Sequence, residues 1–149
     1  MARRMLLEHE RAVRYDRGRL VGVVGPGRIR YRRLHTALTV VDLRPQLLTV
    51  PAQEVLTSDG VPIRVSVVAR WRVLDPVAYV NEARQTPEAL YLAIQLALRA
   101  AVGGLDVEGV LSGRDAIDAA LADPVAVTAG SIGAEVLSLI HISEPTRPY

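Results

Sequence analysis

Val61-Pro62-Ile63-Arg64-Val65-Ser66-Val67-Val68-Ala69-Arg70-Trp71-Arg72-Val73 places an apolar residue at every odd position. The even positions carry Pro62, Arg64, Ser66, Val68, Arg70 and Arg72. Successive strand side chains point to opposite faces, so this alternation predicts a long β-strand with one face in a core. Its other face is mostly Arg-bearing. Arg64, Arg70 and Arg72 read first as a solvated face, with a docking surface for another protein as the alternative.

Outward from this strand the chain divides into two kinds of pattern. Upstream, Ser58-Asp59-Gly60 reads as a hairpin turn in which Gly supplies positive φ. Before it come β-rich runs at Ala12–Tyr15, Leu20–Val24, Ala37–Leu43 and Gln46–Thr57. Gly25-Pro26-Gly27 breaks the chain between the second and third, and Pro51 marks an edge position or a bulge in the last. Downstream the period becomes helical. Asp75-Pro76 starts a short helix to about Glu82, and Thr86-Pro87-Glu88 starts the longest one, to about Val102. Gly103-Gly104 ends it. Ser112-Gly113-Arg114-Asp115 has capping-box spacing and opens a further helix with Ile117 and Leu121 inward, weakened near Asp123-Pro124 and finished by Gly130. Strands followed by packed helices predict an α+β fold, an antiparallel meander with the helical second half packed on the sheet.

Composition fits that reading. The chain has 149 residues, 50% of them hydrophobic, with one Trp and no Phe, so Val, Leu, Ile and Ala must fill a single core. The absence of Cys excludes disulfides, thiolate metal sites and a Cys nucleophile. All 18 basic residues are Arg, which reads first as the mark of a GC-rich genome and alternatively as a demand for guanidinium forks. Ten of them fall in residues 1–33 against Glu8, Glu10 and Asp16, a local charge of +7 in a chain whose net charge is +2. The longest apolar run, Ala89–Val102, is interrupted by Gln95 and Arg99 and is too short for a membrane span.

Little here asks for catalysis. His9, His35 and His141 lie in separate segments without ligand spacing and read as surface or turn residues. Pro26 removes an N–H where a phosphate-cradling glycine loop needs donors, so Gly25-Pro26-Gly27 is a turn. The pairs Asp106/Glu108 and Asp115/Asp118 sit at helix starts, where capping accounts for them. No catalytic, cofactor or metal residue is expected. Arg28, Arg30, Arg32 and Arg33 around Tyr31 do suggest a partner, since alternation aims the first three to one side of a strand. They suit an anionic surface: lipid headgroups, or nucleic acid with Tyr31 stacking on a base. Nucleic acid is disfavoured by the near-balanced charge and the lack of an accompanying motif.

Several segments in order resemble the stomatin/prohibitin (SPFH, band-7) domain, nearest to its bacterial slipin branch, over roughly Leu7 to Val136. They are Glu10-Arg11-Ala12-Val13, Gly18-Arg19-Leu20, Gly25-Pro26-Gly27 and Val41-Asp42-Leu43-Arg44. Val50-Pro51-Ala52-Gln53-Glu54-Val55, Thr57-Ser58-Asp59-Gly60, Asp75-Pro76, Leu98-Arg99-Ala100-Ala101-Val102-Gly103 and Leu111-Ser112-Gly113-Arg114 follow. The resemblance implies a non-catalytic scaffold that self-associates as a homo-oligomer on the cytoplasmic face of a membrane. There it would organise lipid microdomains and regulate membrane proteins or proteases. The family usually carries an N-terminal hydrophobic segment and a long C-terminal helix. Neither is expected here, so this chain alone would be peripheral or soluble.

Residues 1–6 then read as an N-terminal extension, 7–136 as the domain, and 137–149 as an artefactual tail. Leu137 to Arg147 can be back-translated into a transposase sequencing adapter. The stretch from Val136 to Ile142 is β-prone enough to replace a missing last strand, with Ser143–Tyr149 unpacked.

Overall fold

The computed structural model describes residues 1–82 and 86–145. At its centre, β6 (Gln46–Leu56), β7 (Pro62–Val73) and β8 (Ala134–Pro145) form an antiparallel sheet in the order β6-β7-β8. The alternating stretch is the middle strand. Ile63, Val65, Val67, Ala69, Trp71 and Val73 are all buried, Trp71 at 2% exposure. Over them lie α2 (Thr86–Gly103) and α4 (Arg114–Ser131), contributing Ile94, Leu98, Val102, Ile117, Leu121 and Val125 to the same core. Each fully buried aliphatic side chain contributes about 1.5–3 kcal/mol relative to exposure, so this helix–sheet layer supplies most of the fold's cohesion.

The turn before β7 explains a motif that the sequence shows only as letters. Thr57 is buried, and its hydroxyl accepts the Val61 N–H at 3.0 Å while donating to the Asp59 carboxylate. The Gly60 N–H closes the turn onto the Thr57 carbonyl at 3.0 Å. In β6 the register shifts between Val50 and Gln53, so Pro51 sits in a bulge on an edge strand, where its missing N–H interrupts no ladder bond. After β7, Asp75 caps α1 (Pro76–Glu82) by accepting the Val77 N–H at 3.1 Å. Gly133, at φ 73°, lies against this cap. A Cβ there would meet the Asp75 carbonyl at 2.5 Å and the Tyr79 nitrogen at 2.7 Å, so only Gly fits.

The N-terminal half builds a second sheet from β2 (Glu10–Asp16), β3 (Arg19–Val24) and β5 (Thr36–Asp42), in the order β3-β2-β5. Val13 and Val41 dock it on Trp71, Val73 and Leu90. Apart from both sheets, β1 (Ala2–Leu6) pairs antiparallel with β4 (Gly27–Tyr31) as a ribbon. All pairings among the described residues are antiparallel, and the helices follow in the second half, as an α+β fold requires.

Three readings from sequence are corrected. Ser112 does not cap a helix: it ends α3 (Val107–Ser112), donating its hydroxyl to the Glu108 carbonyl at 2.6 Å, and Gly113 holds the N-cap position of α4. Near Asp123-Pro124, where the helix was expected to weaken, α4 runs on, with Pro124 and Ala120, whose carbonyl it leaves unbonded, both facing solvent. Ser143 and Glu144 are not unpacked but extend β8 opposite Val65 and Arg64, and Pro145 ends the strand in register with Ile63; the rest of that segment, 146–149, lies outside the described residues. His141 is not a surface residue. It is 3% exposed, and its Nδ1 lies 2.7 Å from the Asp118 carboxylate.

Candidate functional site

The two groups of Arg singled out by pattern lie on different parts of the molecule. Arg64, Arg70 and Arg72 sit on the outer face of β7, where neighbouring strands partly neutralise them. Arg72 pairs across the sheet with Glu135 at 2.8 Å. Arg64 stands in register between Glu54 of β6 and Glu144 of β8. Arg70 is exposed, opposite Leu47 and Ser138. A cross-strand ion pair holds Arg72, and acidic register neighbours flank Arg64.

Arg28, Arg30, Arg32 and Arg33 have no such compensation. Arg28 and Arg30 project from the exposed side of β4, alternating with the half-buried Ile29 and Tyr31, and Arg32 and Arg33 continue into the turn. Opposite them, β1 adds Arg3, in direct register with Arg30, and Met5, in register with Arg28. Two like charges facing each other across a ribbon destabilise it unless something anionic covers them. Large apolar side chains lie on the ribbon and beyond its far end: Met5 is 57% exposed, and Leu34, after Arg33, is 92% exposed. The ribbon thus presents guanidinium groups interleaved with apolar side chains. Arg3 and Met5 were not singled out from sequence, because residues 1–6 carry no strand alternation and only pairing with β4 reveals their face.

Where the ribbon ends, the chain encloses a pocket of about 530 Å³. Arg30, Tyr31 and Arg32 line one side, Arg14, Asp16 and Arg17 a second, and His35 and Thr36 a third. Backbone bonds hold these segments together. The Arg17 N–H donates to the His35 carbonyl at 2.7 Å, and the His35 and Thr36 N–H groups both donate to the Arg32 carbonyl. Arg17 and Gly18 both have positive φ, 51° and 81°, as a two-residue hairpin loop between β2 and β3 demands.

Among the described residues, no group of His, Asp and Glu is arranged to hold a metal ion. The Asp42 carboxyl is held well below its ordinary range, at about 2, because the Arg44 guanidinium and backbone N–H both bond it. That carboxylate shapes the turn out of β5. Asp59 is likewise lowered by the Thr57 hydroxyl, again within a turn. No helix is long and apolar enough to cross a membrane among the described residues.

Comparison with known proteins accords with this architecture. The family model described as SPFH domain / Band 7 family matches residues 6–148. A stomatin homolog of Pyrococcus horikoshii is 38% identical over 115 residues, covering 77% of this chain and 43% of the relative. Mouse stomatin-like protein 3 is 33% identical over 119 residues, 78% of this chain and 42% of that protein. An uncharacterised protein of Archaeoglobus fulgidus is 38% identical over 118 residues, 79% of this chain and 47% of the relative. The chain therefore spans less than half the length of these relatives. With the family match running over nearly all of its residues, the chain belongs to the SPFH (Band 7) family and carries the stomatin type of its domain.

Proposed function

We propose that this chain is the membrane-facing scaffold domain of a stomatin-type protein, with the β1–β4 ribbon laid against anionic lipid. The observation that carries the reading is the ribbon's exposed face, where Arg3, Arg28 and Arg30 alternate with apolar side chains that include Met5. Each Arg held near an anionic surface contributes about 1 kcal/mol, and exposed Met and Leu add apolar burial at the headgroup boundary. Membership of the SPFH family supports the remainder: a non-catalytic, peripheral scaffold on a cytoplasmic leaflet, self-assembling and acting on lipid microdomains and on neighbouring membrane proteins or proteases. The outer face of β7, with Arg70 as its uncompensated charge, is the corresponding candidate for protein contact.

Co-sedimentation with phosphatidylcholine vesicles, with and without phosphatidylserine, tests the lipid half of the proposal. Binding should require phosphatidylserine and weaken with salt. It should fall by about tenfold or more when Arg28, Arg30 and Arg32 are all changed to Gln. Binding to nucleic acid at the same ionic strength, with none to either vesicle, would reject the membrane reading in favour of a soluble Arg-rich nucleic-acid module.

We further infer that the residues from Leu137 onward are foreign to the domain. The family match runs to residue 148, and β8 pairs with β7 along this stretch. Beyond Leu139 its side chains nevertheless face the wrong way: Ile140 and Ile142 are 56% and 62% exposed while His141 is buried. Sequencing the source DNA across Val136 and Leu137 decides the matter, with a different downstream sequence expected and an identical one overturning it.

A further inference from the structure

The charged side chains that line the pocket at the end of the ribbon are mainly cationic. Its lining carries four guanidinium groups, Arg14, Arg17, Arg30 and Arg32, against a single carboxylate, Asp16. None of the four forms an ion pair among the described residues. Tyr31, His35 and Thr36 supply further polar groups to the same walls. A volume of about 530 Å³ lies within the range of pockets that hold small ligands.

A second observation concerns Arg14, one of the residues that line this space. Arg14 rises from the middle of β2, and its Nε is buried without a hydrogen-bond partner. An unpaired buried donor is costly, more so on a charged group, and native structures rarely leave one unanswered. The backbone around Arg14 is irregular as well. The β2–β3 register shifts between Arg14 and Tyr15, and Gly22, with no side chain, stands opposite Arg14. Bulges recur beside binding sites because they re-aim a side chain.

We propose that this pocket binds a phosphomonoester, through guanidinium groups converging from β2, the β2–β3 turn and the end of β4. A phosphomonoester carries a charge of about −1.5 to −2 and three acceptor oxygens, which match several guanidinium forks better than a single carboxylate or a phosphodiester does. The group can arrive free in solution or as the exposed headgroup of a lipid such as phosphatidic acid. For the lipid source the inference rests on the ribbon's membrane reading, and names the headgroup chemistry that the ribbon end selects.

The test compares two pairs of substitutions that remove equal charge. Arg17→Gln with Arg32→Gln empties two walls of the pocket, whereas Arg3→Gln with Arg28→Gln strips the ribbon outside it. Arg14→Gln is the direct probe, but Arg14 is half-buried, so the exposed pair keeps the test valid if that variant misfolds. Vesicles of phosphatidylcholine doped with phosphatidic acid or phosphatidylserine are matched in surface potential, and inorganic phosphate is titrated separately, followed by amide shifts at His35 and Thr36. The intact chain should favour phosphatidic acid by about fivefold or more. The pocket pair should abolish that preference, and the ribbon pair should weaken both vesicles alike and keep the ratio. Saturation by inorganic phosphate alone assigns the free source, and its absence beside a phosphatidic acid preference assigns the lipid. Equal binding to both vesicles without phosphate saturation overturns the pocket and leaves the ribbon reading standing. Saturation by phosphate with no vesicle binding does the reverse. Equal loss of the preference in both pairs also overturns the pocket.

Discussion

Strands β7 and β8 lie side by side in one sheet under the same two helices, yet their side chains obey opposite rules. Along β7, every residue facing the helices is apolar and buried, from Ile63 to Val73. Along β8, Ala134 is buried and Val136 and Leu139 reach the core, but further on His141 and Ser143 take the inward places. Their outward neighbours, Ile140 and Ile142, are more than half exposed. The backbone registers are nearly as complete as each other, with β8 losing step only between Arg70 and Trp71 of its partner. Main-chain pairing thus admits almost any β-prone sequence, whereas the pattern of side chains decides whether burial is favourable. β7 specifies its place; β8 merely occupies one.

Substitutions in β7 should therefore be far more damaging than substitutions in β8. The largest effect is expected for Trp71→Ala. Trp71 is 2% exposed and joins the sheet to Val13, Val41 and Leu90, with the Tyr79 ring 6.4 Å away. Its truncation should cost about 3–5 kcal/mol in urea unfolding, as for other buried aromatics. In β8 the sign should reverse. The Ser143 hydroxyl is buried with no hydrogen-bond partner, and it borders a cavity of about 250 Å³ with Val110 and Leu111. Ser143→Val removes the unmet donor and fills space, and should raise stability by about 1 kcal/mol. A loss instead would mean that β8 is fitted to its site after all. Smaller still is the response to Ile140→Thr with Ile142→Thr. Both side chains face solvent, so stability should stay within about 0.5 kcal/mol. Solubility, read as light scattering on concentration, should improve as an exposed apolar edge is removed.

What could be read from the letters follows the same division. The β7 alternation, the Asp75-Pro76 helix start and the Thr57–Gly60 turn are local signals, and each is answered by a local contact. The bulge at Pro51 was legible for the same reason. The fate of Ser112 was not, since a hydroxyl can cap the next helix or bond back into the one it ends, and α3 has only six residues to announce itself. Nor was the burial of His141, whose partner Asp118 lies on α4, 23 positions away. Of the Arg cluster, the face carrying Arg28 and Arg30 was legible from alternation alone. The pocket was not. It gathers residues from β2, the β2–β3 turn, the end of β4 and the start of β5, and no spacing rule connects Arg14 with Arg32.

The weakest handle on the comparison is pH, and it acts through the turn that sets the register of β7. The Thr57 hydroxyl lowers the Asp59 carboxyl below its ordinary value by donating to the charged form. A carboxyl depressed in the folded state binds its proton more readily when unfolded, so the linked stability is fully present above the unfolded value, near 4. It is lost as pH falls through the lower, folded value. Asp59 is fully exposed, so the contribution is screened and small. Asp59→Asn should therefore lower the melting temperature slightly at neutral pH. The gap to the parent chain should close as pH falls below the ordinary carboxylate range. A gap that persists in acid would show that the carboxylate's charge is irrelevant to the turn, and that Thr57 and the Gly60 N–H alone hold β7 to its register.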